Sequence, residues 1–296
     1  MRKKKKKILF VINPKSRALI NNNNLKSVIN KILSKDKFDW DIFYTTGDKD
    51  KKKLTDSIHK FNPELIIAAG GDGTVNLVAS NIIGKKIQMG IIPAGSANGV
   101  ALNLNIPNDF EKALKKIINT SPKPVDTILI NDKFYCLHLS DVGINARIVK
   151  RFSQEKLKGL SGYGKQLLKE LLSPKTSFRF TLKTSDYNKK KKAEMLVIAN
   201  APAYGTGALI NPKGVIDDGK FEIIIIKPYP WWIVFRFIAA FFTGNLHKMK
   251  YVQIISTTKA EITLNPAQDI HIDGEVQNPV EQLKAEIIPE AIKIIY

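Results

Sequence analysis

The sequence predicts two domains: an α/β domain with a parallel sheet and helices on both faces over residues 1–125, then a mostly antiparallel β domain over 126–296. Three observations lead there. Up to Pro122 and Pro124, short apolar runs alternate with stretches whose apolar residues recur at helical spacing, and strands separated by helices require parallel crossovers. Beyond those prolines most segments alternate with period two or form β-rich apolar runs. Finally, 296 residues with 44% hydrophobic content suffice for two ordinary cores and argue against wholesale disorder.

Residues 8–12 form a short apolar strand that ends at the turn signal Asn13-Pro14. Leu25, Val28, Ile29, Ile32 and Leu33 then give one apolar helix face. Residues 38–45 read as a strand, and 52–61 as a helix with Leu54, Ile58 and Phe61 inward. A buried strand at 65–69, a helix at 74–83, a strand at 88–92 and an amphipathic helix at 110–118 complete the first domain. In the second, Phe178-Phe180-Leu182 alternates, and 195–199, 221–226, 262–264, 270–272 and 292–296 are strand-like. Helices are expected around 163–172 and 231–242, a polar loop at 21–24, and lysine-rich loop surface at 189–192.

The net charge of +20 attracts polyanions: nucleotide phosphates, nucleic acid or anionic lipid surfaces. Lysine serving as general surface filler accounts for the same excess. A single cysteine, Cys136, excludes an internal disulfide and a cysteine-rich metal site and suits a reducing cytoplasm. Residues 2–7 resemble the basic start of an export signal, but only 8–12 follow as apolar chain, short of the roughly 7–15 residues required. The apolar run 231–242 is interrupted by Arg236 and falls short of the roughly 20 residues needed to span a bilayer. A cytoplasmic protein is expected, at most peripheral at the inner face of the membrane.

Chemistry concentrates in loops that follow strands. Gly70-Gly71-Asp72-Gly73-Thr74-Val75-Asn76 joins an apolar strand to a helix start. Its glycines let backbone approach phosphates, and a helix N-terminus supplies oriented N–H donors. Asp72 would repel phosphate unless it serves a cation, so it reads as a magnesium-side carboxylate. A plain strand-to-helix turn explains Gly-Asp-Gly alone. Pro93-Ala94-Gly95-Ser96-Ala97-Asn98-Gly99 follows the next strand and offers Gly95, Ser96 and Asn98 to the same edge. Asn13-Pro14-Lys15-Ser16-Arg17 makes a third loop there, and Thr45, closing the second strand, is counted with them. Far along the chain, Asp269-Ile270-His271-Ile272-Asp273-Gly274-Glu275 ends a strand in two carboxylates. Phosphorylating an alcohol needs a carboxylate to accept its proton, although an Asp-Gly hairpin turn accounts for the same residues. By alternation His271 packs or is solvated.

Together these residues resemble the diacylglycerol kinase catalytic-domain family, which includes bacterial lipid kinases and sphingosine kinases. The resemblance runs in order along nearly the whole chain: Asn13-Pro14, the 70–76 motif, 95–98, Val125-Asp126, Asp141-Val142-Gly143-Ile144-Asn145-Ala146, Gly162-Tyr163, Asp217-Asp218-Gly219 and Asp273-Gly274-Glu275. It implies a Rossmann-like (NAD kinase-like) α/β domain, a β-sandwich domain and an ATP site in the cleft between them, with lipid entering on the sandwich side. It further implies that Asp72 belongs to the ATP and Mg2+ site, that Asp273 is the general base with Glu275 as alternate, and that Asp218 holds a structural magnesium.

Two departures bear on substrate. Leu77 stands where many relatives have Glu, and Asn98-Gly99-Val100-Ala101-Leu102 is closer to the sphingosine-kinase variant than to Asn-Asp-Phe-Ala-Arg. The expected activity is therefore transfer of the ATP γ-phosphoryl group to a lipid hydroxyl, of diacylglycerol, a sphingoid base or a related lipid at a membrane surface. Peripheral membrane contact and a homodimer are compatible with this, and Trp231 and Trp232 suit headgroup level, although a helix buried against the sheet explains them too. The rivals are NAD kinase, which resembles the chain in its Gly-Gly-Asp-Gly-Thr motif, and a non-catalytic basic membrane-binding protein. No recognition helix or aromatic-basic platform points to nucleic acid.

Overall fold

The structure, a computed structural model, describes residues 4–16, 25–34, 36–143 and 177–296. Arg17, the loop at 21–24, Ile144-Asn145-Ala146, Gly162-Tyr163 and the helix expected at 163–172 lie outside the described residues. The chain divides into two units, Met1–Val125 with Glu290–Tyr296, and Asp126–Pro289.

In the first unit β1 (Lys6–Ile12), β2 (Phe38–Tyr44), β3 (Leu65–Gly70), β4 (Gln88–Pro93) and the last residues of a long final strand form a parallel sheet. The order is β2-β1-β3-β4 with the final strand beyond β4. Residues 8–12 and all of β3 are buried, the near-continuous apolar signature of central parallel strands covered on both faces. The covering helices are α1 (Leu25–Ile32), α2 (Asp50–Phe61), α3 (Asp72–Ile82), the short α4 (Gly99–Asn103) and α5 (Phe110–Asn119). Helix α5 starts on an Asp109 cap, whose carboxylate accepts the Lys112 amide. It packs tightly on β4, because a Cβ at Gly90 would lie 2.9 Å from Ile117 carbons. The chain leaves β1 for β2 on one side, whereas β3 lies on its other side. That reversal is a topological switch point, where loops diverge and leave a crevice at the strands' carboxyl ends.

In the second unit the strands are antiparallel: β7 (Leu139–Gly143), β8 (Phe178–Lys183), β9 (Asn188–Ala193), β10 (Met195–Ala199), β11 (Phe221–Ile226), β12 (Val252–Thr257), β13 (Lys259–Ile272) and β14 (Glu275–Ile295). Two further strands, β5 (Lys123–Ile130) and β6 (Phe134–Cys136), pair with each other. Strand β13 pairs with β8 through residues 261–265 and with β7 through 270–272, with register shifts against β14 in between. A strand that changes partner through an irregularity is how a sandwich turns its corner.

Alternation explains why all of β10 is buried. Leu196 and Ile198 join the core of Phe178, Phe180, Ile223, Ile225 and Ile262, while Met195, Val197 and Ala199 face the opposite core with Ile224 and Ile226. That second core is completed by α6 (Val234–Thr243), which contributes Val234, Phe237 and Ala240.

The lysine run 189–192 corrects its sequence reading: it is not a loop but most of β9, paired along its length with β8. Alternation is invisible when four successive side chains are lysines, and such charges on a strand discourage pairing with other chains. Among the described residues, no helix is long and apolar enough to cross a membrane.

Candidate active site

The first unit brings the loops after β1, β2 and β3 together at the switch point. Backbone bonds fix their register: the Asn13 amide donates to Ala69 O at 3.0 Å and the Thr45 amide to Ile12 O at 2.9 Å. A cleft of about 260 Å³ opens there, with Asn13, Thr45, Gly71, Gly73 and Thr74 in its wall. Lys15 also lines it and supplies a cation. Helix α3 begins at Asp72, so the wall includes a helix N-terminus, an end that favours anions, with the Thr74 amide already turned back to Gly71 O at 2.9 Å.

Two glycine loops meet beside the cleft. A Cβ on Gly95 would fall 2.5 Å from the Gly71 Cα and 2.8 Å from Asn98 Oδ1. Gly70 is equally constrained, because a Cβ there would collide with the Thr74 side chain. Asn98, in the left-handed region at φ 55°, closes its own loop: its Oδ1 accepts the Gly95 amide at 2.8 Å and its Nδ2 donates to Gly95 O at 3.1 Å. Ser96 is exposed at the tip of that loop and Pro14 is exposed after β1, while Asn76 sits half-buried on α3.

Asp72 fastens these loops. Its Oδ2 accepts the Gly99 amide at 2.9 Å and its Oδ1 the Val100 amide at 3.2 Å, so it caps α4 from across the chain. Beside the magnesium-side role expected of it, Asp72 thus serves two backbone donors, one on each oxygen. Among the described residues, no three His, Cys, Asp or Glu side chains gather as a metal-ligating group. Asp218 is exposed, and its Oδ1 accepts the Lys220 amide at 3.0 Å, while the neighbouring Gly219 amide donates to the buried Asp126 at 2.7 Å.

Sequence reasoning left out the loop after β2. Thr46, Gly47 and Asp50 line the cleft, and Asp50 accepts the Thr46 amide at 3.0 Å and the Gly47 amide at 2.8 Å. Partial burial raises the Asp50 carboxyl, but these amides, the Thr46 hydroxyl and Lys53 outweigh it and hold it below its ordinary value. The Thr-Gly-Asp turn signal right after a strand was the available clue.

In the second unit Asp273-Gly274 forms the two-residue turn between β13 and β14. Both residues have positive φ (47° and 86°) and Ile272 pairs with Glu275, so the hairpin reading is realised, with both carboxylates at or beside the turn. The two carboxylates differ sharply. Asp273 is 2% exposed, and its Oδ2 accepts the Leu137 amide at 2.7 Å. Its Oδ1 accepts the amides of His138 and Leu139 at 3.0 and 3.2 Å and lies 2.7 Å from His138 Nδ1. Burial alone would raise this carboxyl; His138 and the converging amides win and lower it to about 2. Glu275 lies exposed at the mouth of the turn, and its carboxyl is raised, first by local desolvation and then by the Asp273 charge. Burial, and then the same Asp273 charge, push the buried Cys136 thiol up.

A second buried pair backs the turn. His271 Nε2 lies 2.7 Å from Asp141 Oδ2, which also accepts the Tyr204 hydroxyl at 2.8 Å. Nδ1 of His271 accepts the Gly274 amide at 3.3 Å, which places the ring proton on Nε2, facing Asp141. His271 is thus neither solvated nor mere packing. Its pairing crosses β13 to β7, a relation that alternation within one strand cannot reveal.

Comparison with known proteins also divides the chain in two, with the second match running on through the final residues 290–296. The diacylglycerol kinase catalytic domain matches residues 7–130, and the YegS C-terminal NAD kinase beta sandwich-like domain matches 140–296. A probable lipid kinase YegS-like protein of Klebsiella pneumoniae (strain 342) is 27% identical over 291 residues, 96% of this chain and 94% of that protein. The structure of a diacylglycerol kinase from Bacillus anthracis str. Sterne superposes with a TM-score of 0.75 at 19% identity, covering 99% of this chain and 98% of that one. An NAD kinase from Archaeoglobus fulgidus, in complex with ATP, reaches 0.57 at 12% identity, covering 98% and 93%. At such identities the two structures speak for the fold alone.

Proposed function

The chain belongs to the diacylglycerol kinase catalytic-domain family and carries its YegS-type C-terminal sandwich, and from that premise we propose that this lipid kinase uses Glu275, not Asp273, as the base in moving the γ-phosphoryl group of ATP to a lipid hydroxyl. The observation that carries the assignment is the contrast across the Asp273-Gly274-Glu275 turn. Asp273 is saturated with donors and held near 2, so it is a poor proton acceptor at neutral pH. Glu275 is reachable and raised towards the range where a base is useful.

The steps balance without any further reactant. The lipid oxygen attacks the γ-phosphorus, the bond to the β,γ-bridging oxygen breaks, ADP leaves, and Glu275 takes the hydroxyl proton late in transfer. Asn13, Lys15, Thr45, Gly71, Gly73 and Thr74 hold the nucleotide phosphates through backbone amides, short polar side chains and one cation. Gly70, Gly95, Ser96 and Asn98 shape that wall, with Pro14 and Asn76 flanking it. Asp72 positions α4 and the second glycine loop. Magnesium, where bound, neutralises the phosphates. Asp72 would hold such an ion through water, since its oxygens already accept two amides, and Asp218 would contribute a carboxylate to a second, structural ion. Asp273 acts as a positioning residue that fixes the turn.

The test is transfer from γ-labelled ATP into a total membrane lipid extract, beside NAD as a soluble acceptor. Labelled lipid with wild type and none with Glu275→Gln supports the reading. Label in NAD alone, or unchanged lipid labelling by Glu275→Gln, overturns it.

A further inference from the structure

Helix α6 and the turn before it, Trp231–Ile233, cover the sheet with one face and leave another bare. Val234, Phe237 and Ala240 are buried. Trp231, Trp232, Phe235 and Phe242 are 66%, 59%, 60% and 64% exposed. Phe235 and Phe242, seven residues apart, share one helical stripe. Four large exposed side chains clustered in twelve residues of sequence, with Trp231 and Trp232 ring to ring at 6.1 Å, make an apolar ridge that a water-facing helix does not need.

Beside the ridge lies a groove of about 690 Å³, with Ile233 and Met249 in its lining and Trp232, Arg236, Lys248 and Lys250 around it. The charge here has one sign. No Asp or Glu occurs from residue 223 to 260, and among the described residues no carboxylate pairs with Arg236, Lys248 or Lys250. Lys250 rests over the Tyr251 ring at 5.0 Å to its centroid.

We propose that this face docks on an anionic lipid bilayer, with the aromatic ridge entering at headgroup level and Arg236, Lys248 and Lys250 taking lipid phosphates. The proposal rests on the lipid-kinase reading for its purpose but not for its chemistry. Amphipathic tryptophans and a cationic rim match an interface that is apolar below and negatively charged above. A second copy of the chain is a poorer occupant, because a two-fold contact would set this cationic rim against itself.

The experiment is flotation of the full chain, without nucleotide, on vesicles of phosphatidylcholine and of phosphatidylcholine mixed with phosphatidylglycerol. Wild type binds the mixed vesicles, releases them as salt rises, and shifts its tryptophan emission to the blue, since two of its three tryptophans lie on the ridge. Binding falls at least tenfold in Trp231→Ser/Trp232→Ser/Phe235→Ser, and about fivefold for each cation changed in Arg236→Gln, Lys248→Gln and Lys250→Gln. These variants keep the wild-type melting temperature and transfer phosphate to detergent-dispersed lipid at the wild-type rate. Wild-type binding by the variants, equal binding to phosphatidylcholine alone, or a solution dimer that the serine variant dissolves each overturns the proposal. Turnover in detergent without vesicle binding sinks docking alone, whereas binding without any lipid labelling sinks the kinase reading and leaves docking intact.

Discussion

Oδ1 of Asp273 lies 2.7 Å from Nδ1 of His138, on a carboxylate that also accepts three successive backbone amides from residues 137–139. Those amides run into β7, so the contact ties the β13–β14 turn to the neighbouring strand. One side chain is thereby held ionised and inaccessible, and its charge acts on Glu275 two residues further on. The two carboxylates therefore differ: Asp273 is tied into the turn, and Glu275 is left exposed with its carboxyl raised.

Substituting each member separates the roles. Glu275→Gln lowers turnover by roughly 100-fold or more, the scale of a lost general base, and leaves the melting temperature within a degree or so of wild type. Asp273→Asn leaves His138 and the amides facing a neutral partner and destabilises the fold by roughly 3–5 kcal/mol, the range for breaking a buried pair. Calorimetry beside a labelled-ATP assay reads both, and a stable, fully active Asp273→Asn protein would refute the structural role.

Acid should find the same residue. Asp273 titrates near 3.8 when unfolded and near 2 when folded. Its stabilisation is complete above the unfolded value and disappears as pH falls from about 4 to about 2. The shift corresponds to about 2 kcal/mol, absent in Asp273→Asn. Glu275 works in the opposite sense: its folded value is raised, so its contribution is present below the usual carboxylate range and fades as pH rises through the folded value. The acid limb of kcat/KM should therefore bend above the ordinary glutamate value of 4.5 and vanish in Glu275→Gln. Urea melts and rate profiles between pH 3 and pH 7 test both signs.

The parallel sheet was legible because β3 is apolar throughout, β1 and β4 are apolar beyond their first residues, and their helices carry a clear 3.6-residue stripe. The two glycine loops were legible because close backbone approach requires glycine at positions such as Gly71 and Gly95. Three things were hidden. The amide partners of Asp72 lie 27 and 28 residues away, so local sequence could not show that it also caps α4. The contrast between Asp273 and Glu275 was hidden because His138 lies 135 residues distant and only pairing of β13 with β7 brings it near. Strand β9 escaped notice because its four central residues, 189–192, are lysine on both faces and show no alternation.

Asp72 can be tested as a cap. Asp72→Ala orphans the Gly99 and Val100 amides and costs roughly 1–3 kcal/mol of stability, with turnover down by roughly 100-fold as the second glycine loop loosens. Asp72→Asn keeps one acceptor oxygen and recovers part of the stability. A melting temperature unchanged in Asp72→Ala, with turnover lost, would return Asp72 to a purely magnesium-side role.

Gly95→Ala isolates the contact between the two glycine loops. Gly95 has no positive φ, so alanine suits its backbone and the penalty is purely steric. The new methyl would meet the Gly71 Cα at 2.5 Å and Asn98 Oδ1 at 2.8 Å. Gly71 is backbone at the wall of the cleft and cannot rotate away, so the loop after β3 must shift by several tenths of an ångström. Phosphate-binding amides lose alignment with displacements of that size. The expected result is a KM for ATP at least tenfold higher, with a smaller fall in kcat, because Glu275 in the second unit is untouched. Stability should drop by about 1–3 kcal/mol, the cost of overpacking a tight contact. Titration with a fluorescent ATP analogue reads the loss directly. Wild-type nucleotide affinity in a folded Gly95→Ala protein would remove the glycine contact from the nucleotide site.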